Sequence, residues 1–197
     1  MPRRPPRLVR VEQGPLIPNA LVAIVVIVVA EAMLFAGLIG SYLVFRLSAP
    51  TWPPADLPRL PLALTIANTA VLLSSLAPLT RALRAARRGD SAVVLRGVRA
   101  TTVLGVAFLA IQGFEWVRLV GHGVTLGSSI FGATFYLLIG AHGAHVLVAV
   151  VWLAVLAGMA RRGLLTVDRH GALEMGTVYW YFVCILWVAL FVLVYLA

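Results

Sequence analysis

Lysine is absent from this chain of 197 residues, so all 16 basic residues are arginine. Acidic residues number only 7, which leaves a formal net charge of +9. Charged residues make up 12% of the chain, roughly half the ~25% of a soluble domain. That scarcity excludes an ordinary soluble globular domain. The single cysteine, Cys184, excludes an internal disulfide framework and any cysteine cluster for zinc or iron–sulfur. Neither a phosphate-binding loop nor a nucleophile–base pair occurs. In a soluble protein the basic excess would point to nucleic acid. Here the arginines cluster between apolar runs, which speaks for membrane topology and against a nucleic-acid partner.

What the chain does have is apolar length. Hydrophobic residues make up 61% of it, in runs long enough to cross a bilayer. Five spans are expected, at about 16–46, 61–82, 91–120, 127–160 and 172–196. They follow a basic, Pro-rich arm at 1–15, and residues 16–197 form one membrane domain. The first apolar run is about 30 residues long, whereas the apolar core of a cleaved signal has only about 7–15. It is therefore read as a true span. The stretch "RLSAPTWPPADLPRLP" (46–61) cannot be helical throughout, and Asp90 or Ser91 is placed to cap the third span.

With the N-terminus inside, thirteen arginines fall on inner segments and three, Arg46, Arg59 and Arg118, on outer ones. The positive-inside rule then puts the N-terminus in the cytoplasm and the C-terminus outside. The expected fold is an all-α integral membrane bundle of five transmembrane helices. Small residues at four-residue spacing (Ala36 and Gly40, Gly37 and Ser41, Gly140 and Ala144) offer faces for close helix packing.

Few residues could carry chemistry. Glu31 lies near the middle of the first span, where a carboxylate normally has either a polar partner on another helix or a role in proton handling or ligand contact. Glu115, near the outer end of the third span, is flanked by Gln112 and Arg118 at helical spacing. The simplest reading makes it an interfacial charge paired with Arg118. Glu174 opens the fifth span, where it complements the helix dipole. In "GAHGAHV" (140–146), His142 and His145 share one side of a helix. A di-iron site in a helical bundle needs four carboxylates and Glu-x-x-His pairs, which this chain lacks. A mononuclear site with Glu31 and Glu115 stays open beside the commoner case of polar groups tying helices together. The five tryptophans, among them Trp52, read as interface anchors or packing residues.

Taken together, "AEAMLFAGLIGSYLVFR" (30–46), "WPP" (52–54), "NTAVLLSS" (68–75), "IQGFEW" (111–116), "HGVTLGSSIFGATFYLLIGAHGAHV" (122–146) and "YWYFVCILWVALFVLVYL" (179–196) resemble subunit III of the haem–copper terminal oxidases. These are the cytochrome c and quinol oxidases. The motifs occur in that family's order, and five spans match its short bacterial form. The resemblance implies a non-redox accessory subunit in the bacterial cytoplasmic membrane, with no cofactor of its own and with haem and copper on partner subunits. It implies contacts with subunit I above all, with subunit II and with other subunits. It further implies bound phospholipid and support of proton uptake. Glu31, Trp52, Asn68, Arg99, Gln112, Glu115, His142, His145 and Glu174 become the candidate helix-contact or lipid-contact residues, with Arg99 placed near a lipid head group. One departure stands out. Where the family usually reads Trp-His-Phe-Val-Asp, this chain has Trp180-Tyr181-Phe182-Val183-Cys184. That leaves open a protein associated with nitric oxide reductase. Outside the family, the alternative is a stand-alone membrane metalloenzyme or proton-linked transporter built on Glu31, His142 and His145.

Overall fold

The computed structural model describes residues 19–54, 62–167 and 169–196; the expected arm at 1–15 lies outside them. Six α-helices account for nearly all of it: α1 (Asn19–Ser48), α2 (Leu62–Ser74), α3 (Leu76–Ala86), α4 (Ser91–Gly121), α5 (Ile130–Arg161) and α6 (Gly171–Phe191). A π-helical turn, Val192–Leu196, continues α6. Counting α2 and α3 together, five helical segments are long and apolar enough to cross a membrane, and the protein is a multi-pass membrane protein. Helix is what lipid demands, because every backbone N–H and C=O must find its partner inside the segment.

The second span is broken. Pro78 has no N–H to offer the Ser74 carbonyl and its ring crowds that turn, so the helix interrupts at Ser75 and resumes at Leu76. Ser75 then serves as a junction. Its backbone N–H bonds to Leu72 O at 3.1 Å, its carbonyl accepts from Thr101 Oγ1 at 3.3 Å, and its Oγ accepts from Trp180 Nε1 at 2.9 Å. One interrupted turn thereby ties α2/α3 to both α4 and α6.

Short turns reverse the chain. Asp90 caps α4 by accepting from Val93 N at 3.0 Å, and Ser129 caps α5 through Gly132 N at 3.0 Å. Gly89, Gly123 and Gly163 take the left-handed conformation just past the ends of α3, α4 and α5, a conformation open to glycine at little cost.

The closest helix approach belongs to α4. Gly97, Thr101 and Gly105 recur every four residues on its buried face. A Cβ at Gly97 would lie 2.5 Å from the Pro78 carbonyl, and one at Gly105 would lie 2.7 Å from the Trp180 ring. This corrects the expected small-residue faces. A Cβ at Gly37 or Gly40 on α1 would meet nothing within 4 Å, and one at Gly140 would meet only the rim of the Trp116 ring at 3.7 Å. Helix α1 is peripheral, packing chiefly on α5 and α6 and exposing Val26, Met33, Val44 and Leu47 along its length.

Candidate functional site

Polar side chains inside the bundle gather in three places. The first joins α2, α4 and the π-helical turn. Glu115 is fully buried. Its Oε2 accepts from Thr65 Oγ1 and from Gln112 Nε2, both at 3.2 Å, and its Oε1 accepts from Tyr195 Oη at 3.0 Å. Asn68 Nδ2 extends the network by donating to Phe108 O at 3.2 Å and to Gln112 Oε1 at 3.4 Å. The expected pairing of Glu115 with Arg118 is not what forms. Positions three apart on a helix differ by about 60° around the axis, given 3.6 residues per turn. That separation is enough to send Glu115 into the core while the Arg118 guanidinium lies over the Phe114 ring, 5.9 Å from its centroid. Thr65 and Tyr195 were not singled out from the sequence. Tyr195 reaches the carboxylate from the π-helical turn that ends α6, and nothing in the local sequence announces that pairing across 80 positions.

The second cluster joins α1, α5 and α6. Tyr179 Oη donates to Glu31 Oε1 at 3.1 Å, and His145 Nε2 lies 3.8 Å from the same oxygen. His145 Nδ1 sits 2.6 Å from Ala141 O. A carbonyl can only accept, so Nδ1 donates to it. Phe35 stands edge-on to that ring at 5.1 Å. The side chains of Glu31 and His145 each remain 20% exposed, facing the surroundings of the bundle. Tyr179 is the third member that sequence reasoning missed.

His142 belongs elsewhere. It is buried, stacks on Trp187 with ring centroids 5.1 Å apart, and meets the Phe108 ring edge-on at 6.4 Å. Trp187 Nε1 donates to Thr69 Oγ1 at 2.9 Å, so this stack binds α5 to α6 and α2. The two histidines of "GAHGAHV" therefore serve different helix contacts, one inward and one toward α1. Among the described residues no three His, Cys, Asp or Glu side chains come together as a metal-holding group.

The remaining candidates are spread over both ends of the bundle. Glu174 pairs with Arg87 at 2.9 Å and lies 3.4 Å from His170 Nε2, which joins the start of α6 to the end of α3. Trp52 Nε1 donates to Tyr42 Oη at 3.1 Å, and its ring meets Phe131 edge-on at 5.3 Å. Arg99 is exposed on α4, where no hydrogen bond or ion pair reaches it among the described residues. The family departures are settled inside the chain: Tyr181 Oη bonds to Thr80 Oγ1, and Cys184 is fully buried in the core. Trp180 and Trp187 are fully buried packing residues. An apolar groove of about 700 Å³ runs between α1, α2/α3 and α6, lined by Ile39, Leu73, Cys184, Val188 and Leu193 among others. Arg46 Nη1 donates to Leu193 O at 2.9 Å at one end of that groove.

Comparison with known proteins places this arrangement. The family described as cytochrome c oxidase subunit III matches residues 17–197. A cytochrome c oxidase subunit 3 from Synechocystis sp. is 35% identical over 174 residues, covering 88% of this chain and 73% of the relative. A probable cytochrome c oxidase subunit 3 from Nocardia farcinica is 36% identical over 170 residues, covering 84% of this chain and 82% of the relative. The corresponding protein from Corynebacterium diphtheriae is 34% identical over 178 residues, covering 88% and 86%. The chain belongs to the cytochrome c oxidase subunit III family.

Proposed function

We propose that this chain is the non-redox accessory subunit of a respiratory haem–copper oxidase in a bacterial cytoplasmic membrane. In this reading its N-terminus is cytoplasmic and its C-terminus outside. It packs against subunit I, holds phospholipid and supports proton uptake by the catalytic subunit. Haem and copper belong to the partners. One observation carries the reading: the family match spans residues 17–197, and several polar side chains in that span, Glu115, Asn68 and Trp180 among them, tie helices to one another. His142 lies between two aromatic rings, and His145 is engaged with Ala141 and Glu31.

Proton support fits the second cluster best. Glu31, His145 and Tyr179 combine a carboxylate, an imidazole and a phenol within hydrogen-bonding range or nearly so, on a side of the bundle that is not sealed. Phospholipid fits the groove between α1 and α6, whose apolar walls suit an acyl chain. The small-residue faces of α1 meet nothing inside the chain, which leaves them for a helix of a partner subunit. Tyr181 has a partner within the chain and Cys184 is buried in the core, so their departure from the family pattern requires no change of function. Purification through a tag on this chain tests the reading. A haem-bearing partner should copurify, and a colourless chain active by itself would contradict it.

A further inference from the structure

We propose that the turn between α3 and α4 is a binding site for an anionic phospholipid head group, with Arg81, Arg84 and Arg88 as its phosphate ligands. The three guanidinium groups line a cavity of about 340 Å³, walled also by Ala85, Asp90 and Val93. Positions 81, 84 and 88 fall on one side of the helix and the turn that follows it. Arg87, on the same turn, is engaged with Glu174 instead. Among the described residues Arg81, Arg84 and Arg88 make no side-chain hydrogen bond and no ion pair. Three guanidinium groups around one cavity, with Asp90 as its single carboxylate, leave a positive excess that suits an anion. Asp90 offsets one of the three charges, and its Oδ1 is held by Val93 N as the cap of α4.

The ligand class follows from charge and depth. Three arginines less one aspartate leave two positive charges around the cavity, the complement of a lipid bearing two phosphates. Guanidinium groups match phosphate geometry with paired N–H donors. Arg81 to Arg88 spans about 10 Å along the helix at 1.5 Å per residue. The head-group layer on each side of a bilayer is roughly 5–7 Å thick, so a row of that length can reach across it. Basic pockets between spans on the cytoplasmic side are where such head groups bind. Arginine is enriched on inner segments for topology alone, yet here three of them converge on one cavity. The site rests on the cytoplasmic placement of this turn proposed above, and it is independent of the oxidase partnership.

The test is native mass spectrometry of the full chain in detergent, titrated with cardiolipin, phosphatidylglycerol and phosphatidylcholine. One cardiolipin per chain is expected to bind in preference to phosphatidylcholine. Arg81→Gln/Arg84→Gln/Arg88→Gln should weaken it by at least about tenfold, whereas Arg161→Gln/Arg162→Gln should leave it within about twofold. Because the Gln variant also removes topological charge, Arg81→Lys/Arg84→Lys/Arg88→Lys is measured beside it. It should insert normally and lose only part of the affinity. The site is overturned if the triple Gln variant binds cardiolipin as the native chain does, or if the control pair loses it equally. It is overturned too if millimolar inorganic phosphate displaces the lipid, which would make this a site for free anions. Loss of the site with continued copurification of a haem-bearing partner would sink this inference alone.

Discussion

Glu31 and Ser75 show how single residues hold this bundle. The Glu31 carboxylate accepts from Tyr179, and glutamine keeps an oxygen able to accept that bond. Glu31→Gln should therefore assemble into the complex almost normally. Glu31→Leu leaves the Tyr179 hydroxyl without its partner at a cost of about 1–3 kcal/mol, and the subunit should be retained less well; subunit content of the purified complex measures both. Ser75 accepts from the buried Trp180 indole, so Ser75→Ala should cost a similar ~1–3 kcal/mol, read as a lower unfolding temperature in detergent. The prominence of Glu31, His142 and His145 was legible because polar residues in apolar runs stand out. Their partners were not legible. Tyr179 is 148 positions from Glu31, and only the packing of α6 against α1 brings them together. Ser75, a serine among others in "NTAVLLSS", shows its role only once α4 and α6 are in place.

At the scale of elements, α4 and α1 make opposite use of small residues. On α4 the Gly97–Thr101–Gly105 row lets α3 and α6 approach closely. Gly105→Ala would put a methyl group 2.7 Å from both Trp180 and Val150, and should cost about 1–3 kcal/mol by overpacking. On α1, Gly37 and Gly40 have open space around them. Gly40→Leu should leave the unfolding temperature of the isolated chain nearly unchanged and still reduce its retention in the complex, if this face receives a partner helix. Equal retention would show that the partner docks elsewhere. The five spans were legible because lipid imposes helix on any long apolar run. The break at Ser75 was signalled by Pro78 but hidden by the apolar run around it. The four-residue row on α4 was equally visible, but nothing in the sequence ranked it above the rows on α1.

For the whole molecule, orientation and partnership decide what it does. The turns at 87–90 and 162–167 lie at one end of the bundle, where Arg87 pairs with Glu174 and Gly89 approaches Val167, and both carry arginine. Reporter fusions after residue 89 and after residue 163 should report cytoplasm, and fusions near residue 55, near residue 123 and at the C-terminus should report the outside. The central claim is that an accessory subunit supports redox chemistry carried by other chains. Turnover of the purified Glu31→Gln complex, measured with subunit content and visible spectrum, tests it most directly. The account predicts a haem spectrum contributed by partner chains, the subunit retained and oxygen reduction still proceeding. A complex that keeps the subunit and its haem spectrum but loses turnover completely would make Glu31 an essential proton carrier and contradict the accessory role.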